Sequence, residues 1–159
     1  MKYVNKRIIY SPSDLSNFIQ CKHLSHLDRE ALDGKRARPN YTNKVMLALR
    51  EKGQNFETEV LAKYAAAGKC IFTLEPGDPL AFEKTLQAMH QAYDVIYQAR
   101  LGKEEEWEGW ADFLVKVDEN SSLGAYSYQV VDTKLATETK AATIIQISLY
   151  SEAVGEIQK

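Results

Sequence analysis

Three strand candidates follow one another between residues 94 and 135, and this run constrains the fold more than any other feature. They cover residues 94–101, 108–117 and 125–135, where β-branched and aromatic residues are concentrated between turn residues. The other predicted elements are helices at about 11–34, 43–67, 80–93 and 140–158, and a short strand at 69–74. Helices on either side of sequential strands predict an α/β fold.

The size and composition exclude several classes of protein. The chain has 159 residues, of which 45% are hydrophobic and 26% charged, so we expect one globular domain and not a disordered chain. No apolar run approaches the roughly 20 residues of a membrane helix, and the basic start lacks the apolar segment of a secretion signal. Two cysteines are too few for a disulfide scaffold, so a cytoplasmic protein without a membrane partner is expected. The net charge of −2 does not indicate a basic groove for nucleic acid.

The last predicted helix, at about 140–158, has no strand after it. In an α/β layer such a helix normally leads into another strand. We therefore expect residues 1–159 to be a single domain with a three-stranded core sheet, truncated before its last core strand, and so a fragment of a longer protein. Within it, the N-terminal helical part covers about 11–67, and the core sheet with the last helix covers about 94–159.

Two acidic motifs lie on neighbouring strand candidates. In the motif D-T-K, at the end of the third strand, strand alternation places Asp132 and Lys134 on one face. In the motif G-W-A-D, on the strand before it, Asp112 is predicted among apolar residues. If the two strands pair, both carboxylates converge, and they then need a divalent cation such as Mg²⁺ or Mn²⁺. Taken alone, D-x-K is a weak signal, since a chain of this length contains roughly half of one by chance.

Two further motifs are predicted on helices. In the sequence G-Q-N-F-E, Gly53 and Glu57 lie one turn apart on the second helix, and a glycine there indicates close approach of another element. In the sequence Q-I-S-L-Y, Gln146 and Tyr150 share one face of the last helix among small residues, which leaves room for a ligand. By itself, the first motif is explained equally well by a glutamate on an exposed helix face. The second is explained equally well by an ordinary half-buried helix face.

Taken together and in this order, the four motifs resemble the RecB-like branch of the PD-(D/E)XK nuclease superfamily. The pattern is G-x-x-x-E, G-x-x-D, D-x-K and Q-x-x-x-Y on helix, strand, strand and helix. The stretches SPSDLSNFIQCKHL, TLQAMHQAYDVIYQARL, GWADFL, VVDTKLA and QISLY are similar to a bacterial group of RecB-like nucleases, related to the CRISPR adaptation iron–sulfur nucleases. The resemblance covers most of the chain and implies a restriction-endonuclease-like core, with a central mixed sheet flanked by helices.

The activity that the resemblance implies is metal-dependent hydrolysis of DNA phosphodiester bonds, in repair or recombination. Asp112, Asp132 and the backbone carbonyl of Thr133 would hold Mg²⁺ or Mn²⁺. Glu57 would reach the metal through water or bind a second ion.

The resemblance also gives roles to the other polar motif residues. Lys134 would orient or help deprotonate the attacking water and offset the charge of the transition state. Gln146 and Tyr150 would position the backbone phosphate or steady Lys134. These three residues complete the expected catalytic set with the carboxylates.

Cys21 occupies the position of one iron–sulfur ligand in some relatives. They carry one cysteine in the first helix and three after the Q-x-x-x-Y helix, and the three have no counterpart in this sequence. A [4Fe-4S] cluster is therefore expected only in a longer parent chain. Cys21 is predicted in the middle of the first helix, whose apolar stripe is expected to face the core, and a role as a small packing residue stays open. His23 and His26 are expected to be surface or packing residues.

The expected partners are DNA and a helicase or fused nuclease domain, with no small-molecule substrate. A catalytically inactive DNA-binding or structural nuclease-like module is the alternative function, and the presence of all the polar motif residues counts against it. An RNA-directed hydrolase stays open as well, because no element that reads a 2′-hydroxyl is recognisable.

Overall fold

The computed structural model describes residues 1–39, 43–103, 105–136 and 138–159. Its helices are α1 (Pro12–Gln20), α2 (Lys22–Leu32), α3 (Lys44–Ala66), α4 (Ala81–His90) and α5 (Ala141–Ile157). Its strands are β1 (Lys2–Val4), β2 (Arg7–Ile9), β3 (Ile71–Thr73), β4 (Val95–Lys103), β5 (Trp107–Val117) and β6 (Ser127–Val131). Within the described residues, none of the helices is both long enough and apolar enough to cross a membrane.

The long helix α3 agrees with the predicted helix at 43–67 to within one residue at either end. Asn43 caps its first turn, because the side-chain oxygen accepts a hydrogen bond from the backbone N–H of Val45 at 2.9 Å. Gly68, at φ +73°, follows its end in the left-handed conformation that glycine adopts without strain. Cap chemistry therefore makes this element predictable from the sequence.

Four strands form one mixed sheet in the order β3-β4-β5-β6. β3 pairs parallel with β4, whereas the pairs β4–β5 and β5–β6 are antiparallel. The helix α4 makes the crossover from β3 to β4 that a parallel pair requires. The predicted α/β fold with a central mixed sheet flanked by helices is confirmed. The expected three-stranded core sheet is wrong, because the short strand β3 joins the three sequential strands at one edge.

The core is formed by the sheet together with α4 and α5. Ile96 of β4, Leu114 of β5 and Met89 of α4 are all fully buried in it. Tyr128 of β6 packs into the same core, and its hydroxyl donates a hydrogen bond to the Tyr93 carbonyl at 2.6 Å. Each such buried apolar side chain stabilises the fold by about 1.5–3 kcal/mol, so the strands that carry the polar motifs are firmly held.

Residues 11–34 form the two helices α1 and α2 and not the single predicted helix. Cys21 lies between them with an extended backbone, at φ −159° and ψ 102°, so its predicted position in mid-helix is wrong. The apolar stripe also fails to enter the core, because the break ends the single helical repeat on which that prediction depends. The exposed side chains of this stripe are Leu15, Phe18, Ile19 and Leu24.

An antiparallel hairpin of β1 and β2, which is not among the predicted elements, precedes α1. It continues into backbone hydrogen bonds with the start of β5. Tyr10 N–H donates to the Glu106 carbonyl at 3.0 Å, and Glu108 N–H donates to the Tyr10 carbonyl at 2.9 Å. The hairpin residues are mostly exposed, so they lack the alternation of apolar and polar residues that reveals a half-buried strand.

Candidate functional site

Asp112 and Asp132 lie opposite each other on neighbouring strands. The last pair of the β5–β6 ladder is Phe113 with Val131, and continuing the antiparallel register by one residue pairs Asp112 with Asp132. Asp132 comes directly after β6, so the D-T-K motif lies at the exit of the strand, which ends earlier than the predicted residue 135. The register of the sheet therefore brings the two carboxyl groups together.

Thr133 fixes the orientation of the Asp112 carboxylate. The backbone N–H and the hydroxyl of Thr133 donate hydrogen bonds to Asp112 Oδ2, at 2.7 Å and 2.8 Å. Hydrogen bonds to an ionised oxygen are stronger than those between neutral groups. The segment after β6 is thereby tied to β5, and the side chain of Asp112 is held in one position.

The side chain of Asp132 is almost fully buried, with 2% of it exposed. Lys134 Nζ forms a hydrogen bond with its Oδ1 at 2.7 Å and an ion pair with its buried Oδ2 at 2.6 Å. Burial raises the pKa of Asp132, the amine of Lys134 opposes this, and the nearby carboxyl of Asp112 raises it further. A negative charge on Asp132 is therefore unfavourable at this position, and the amine of Lys134, which is 41% exposed, neutralises it in part.

Glu57 reaches the same site from α3. Its Oε1 accepts a hydrogen bond from the side-chain amide of Gln98 on β4. Burial raises the pKa of Glu57 and so does the charge of Asp112, whereas Tyr97 and Gln98 oppose the rise by hydrogen bonding. Glu57 is therefore close enough to interact with the site electrostatically.

Tyr150 lies beneath the site and is 3% exposed. Its hydroxyl donates a hydrogen bond to the carbonyl of Trp110 on β5 at 2.9 Å. Burial raises the pKa of Tyr150 to about 12, against the opposing effect of the Gln146 amide one turn earlier on α5. The phenol is thus neutral and fixes α5 against β5, two residues before Asp112.

Gly109 makes the contact between α5 and β5 possible. A Cβ atom built on Gly109 would lie 2.6 Å from the Tyr150 hydroxyl oxygen and 2.9 Å from Cδ of Pro12. Both distances are shorter than van der Waals contact allows. The glycine of the G-x-x-D motif therefore has a packing role in this chain.

Gly109→Ala is expected to destabilise the protein by about 1–3 kcal/mol, because the methyl group displaces the Tyr150 ring. Thermal unfolding should show it as a lower Tm, by about 2–4 °C for each kcal/mol in a chain of this size. Gly155→Ala is the matched control, since its Cβ on the same helix as Tyr150 meets no atom within 4 Å. A better helix former there should raise the Tm slightly. Equal melting temperatures for Gly109→Ala and the wild type would contradict the packing role.

Some predicted residues lie apart from this arrangement. Cys21 is exposed between α1 and α2, and His23 and His26 are exposed on α2 with ring centroids 6.3 Å apart. A Cβ on Gly53 would meet no atom within 4 Å, so the predicted close approach of another element to this glycine is wrong. The surface of α3 around Gly53 is open, so packing does not explain the glycine at this position.

The carboxylates do not form a preassembled three-ligand cage. Over residues 1–39, 43–103, 105–136 and 138–159, no group of three or more His, Cys, Asp and Glu side chains is close enough to hold a metal ion. In this arrangement Glu57 interacts electrostatically with Asp112 and Lys134.

Sequence reasoning missed Tyr97 and Gln98, the two neighbours of Glu57 on β4. Both lie inside an apolar strand, where the only signal is one amide residue among branched and aromatic side chains. Their contact with Glu57 depends on how α3 packs over the sheet, which no local pattern encodes. Tyr97 packs its ring on Phe113 at 5.2 Å between centroids, and Tyr64 of α3 packs on the same ring at 5.6 Å.

Comparison of the chain with protein-family models, with curated proteins and with solved structures finds no match.

Proposed function

We propose that this chain is a metal-dependent nuclease of the RecB-like PD-(D/E)XK type, with a restriction-endonuclease-like core, which hydrolyses phosphodiester bonds of DNA. The observation that carries the proposal is the register that pairs Asp112 with Asp132 and leaves the amine of Lys134 beside them. Two carboxyl groups that face each other in a partly buried site repel each other, and a divalent cation offsets that repulsion. A hydrolytic metal site provides that compensation and uses each of the three side chains.

A divalent cation fits the donor set. Oδ2 of Asp132 is buried in an ion pair with Lys134, and among the described residues no further group donates a hydrogen bond to it; burial beside Asp112 disfavours its ionised form. Two carboxylates and a backbone carbonyl are hard oxygen ligands, which Mg²⁺ and Mn²⁺ prefer. Asp112, Asp132 and the Thr133 carbonyl would hold the cation, with Glu57 contributing through water. The cation would polarise the phosphoryl oxygen and lower the pKa of a bound water.

Lys134 is the residue that this site offers for handling the attacking water. Its amine is held at the carboxylate of Asp132 yet is 41% exposed, so a substrate phosphate reaches it from solvent. A positioned ammonium group stabilises negative charge that develops on the phosphate oxygens. The amine also orients a water molecule through its hydrogen bonds.

The helix α5 contributes one supporting and one substrate-facing residue. The hydroxyl of Tyr150 is already bound to the Trp110 carbonyl, so we assign Tyr150 to positioning β5 and not to direct contact with DNA. Gln146 lies one turn before it, is partly buried and has its side chain near the Tyr150 hydroxyl, and its amide would bind a phosphate. Two neighbouring polar residues of the same helix thus have different roles.

The test is cleavage of end-labelled single-stranded and double-stranded DNA by the purified chain. We expect strand scission with Mg²⁺ or Mn²⁺ and none after the metal is removed with EDTA, because hydrolysis requires the charge of the cation. A labelled RNA of the same sequence tests the alternative substrate. Retained DNA binding with no cleavage under either metal would overturn the proposal in favour of an inactive DNA-binding module.

A further inference from the structure

Gln98 has a backbone conformation that is unusual for its position. It lies in the middle of β4 at φ +56°, in the left-handed backbone region that residues other than glycine rarely adopt. The pairing of β4 with β5 keeps the same register before and after it, with Tyr97 opposite Phe113 and Ala99 opposite Ala111. No residue is inserted, so the strand is not bulged. Within β4, only the backbone of Gln98 has this reversed φ value. The register of β4 with β5 places Gln98 opposite Asp112.

The turned backbone has a consequence for the side chains. In a regular strand, consecutive side chains project to opposite faces of the sheet. Here the consecutive residues Tyr97 and Gln98 both interact with the carboxylate of Glu57, and the Gln98 amide donates a hydrogen bond to Oε1. The positive φ of Gln98 breaks the alternation and allows both neighbours to reach one acceptor.

The same register aligns the site across three strands. Gln98 of β4 faces Asp112 of β5, and Asp112 faces Asp132 after β6. Glu57 is held at the Gln98 end of this row, over a cavity of about 410 Å³ that is lined by Glu57, Tyr97, Gln98 and the segment 73–76. Backbone strain of this kind persists only where surrounding structure imposes it, and it is concentrated at functional sites.

We propose that Gln98 is a positioning residue of the nuclease site, which holds Glu57 beside the pair of Asp112 and Asp132 through its strained backbone and its amide. The inference rests on the proposed function. The Gln98 amide has no part in bond breaking and acts on the reaction only through the carboxylate that it orients. Its contribution is to keep Glu57 from turning away into solvent, since α3 itself is largely exposed.

Two variants separate the amide from the backbone. Gln98→Gly relieves the positive φ and removes the amide, so its Tm should be equal to or higher than that of the wild type. Gln98→Asn keeps an amide and tolerates positive φ, but its side chain is one methylene too short to reach Glu57. Both variants should bind Mn²⁺ about 10-fold or more weakly by calorimetry, with the metal as the only ligand. In DNA cleavage, kcat should fall by a similar factor while the KM for DNA stays unchanged.

Ala92→Gly is the matched control, because Ala92 has a comparable φ of +58° in the segment after α4, outside the site. It should keep the Mn²⁺ affinity and the cleavage rate of the wild type. If Gln98→Gly and Gln98→Asn bind Mn²⁺ and cleave DNA like the wild type, the positioning role is wrong although the nuclease function stands. If the wild type neither binds Mn²⁺ nor cleaves, the proposed function is wrong and this inference fails with it.

Discussion

Asp132→Asn is expected to lower the rate of metal-dependent DNA cleavage by about 10³-fold or more, while the protein stays folded. The asparagine has the same shape, but its neutral amide oxygen is a far weaker ligand for Mg²⁺ or Mn²⁺ than a carboxylate. Asp132 is almost fully buried beside Asp112, so no other acidic side chain replaces its charge from solvent. The measurement is the initial rate on labelled DNA, together with Mn²⁺ binding by calorimetry.

Without metal, Asp132→Asn is expected to gain stability relative to the wild type as the pH rises, although it loses cleavage activity. Burial raises the pKa of Asp132 above its ordinary value of 3.8, so the folded protein binds more protons than the unfolded chain. The contribution of Asp132 to stability therefore declines as the pH rises from 3.8 through the higher folded pKa. Asp132→Asn removes this decline. In thermal unfolding with EDTA, the Tm of the variant relative to the wild type should increase from pH 4 to pH 7.

With Mn²⁺ bound, the wild type should melt at a higher temperature than Asp132→Asn. The cation neutralises the carboxylates only in the folded wild type, and a ligand that binds only the folded state raises its stability. Asp118→Asn is the matched control, because Asp118 is an exposed residue directly after β5. It should leave cleavage and the Mn²⁺-dependent rise in Tm unchanged. Cleavage by Asp132→Asn at the rate of the wild type would remove Asp132 from the metal site.

The parts of the fold that could be predicted are those in which one segment carries its own signal. The helix α3 follows from the cap at Asn43 and the glycine at 68, and the strands β4 to β6 follow from their apolar and aromatic residues. The break at Cys21 could not be predicted, because apolar residues continue with helical spacing on both sides of it. The hairpin β1–β2 could not be predicted, because its exposed residues do not alternate between apolar and polar.

The candidate site divides in the same way. The convergence of Asp112 and Asp132 could be anticipated from the order of two adjacent strands, since neighbours in sequence usually pair in space. The bonds from Thr133 to Asp112 and the contact between Gln98 and Glu57 could not, because they depend on where β6 ends and on a single reversed φ value. Local patterns therefore identify the reactive side chains, and only tertiary packing identifies the residues that orient them.

Lys134→Ala is expected to lower the cleavage rate by about 10²- to 10³-fold without weakening the binding of Mn²⁺. The amine is not a metal ligand, and it competes with a cation for the carboxylate of Asp132, to which it lies within 2.7 Å. Removing its positive charge should therefore keep or raise the Mn²⁺ affinity. In EDTA the variant should melt about 2–4 °C lower, because the buried Asp132 loses its partner.

The diagnostic result for Lys134 is the separation of binding from rate. Calorimetry with Mn²⁺ alone reports the metal affinity, and single-turnover cleavage at saturating Mn²⁺ reports the chemical step. Lys103→Ala is the matched control, because Lys103 makes an exposed ion pair with Glu106 at 2.8 Å, and such pairs contribute little. A parallel loss of Mn²⁺ affinity and rate in Lys134→Ala would mean that Lys134 only preserves the carboxylate geometry. A full rate at saturating Mn²⁺ would mean that the attacking water is activated without its amine, since the metal alone then supplies all the charge stabilisation that the reaction needs.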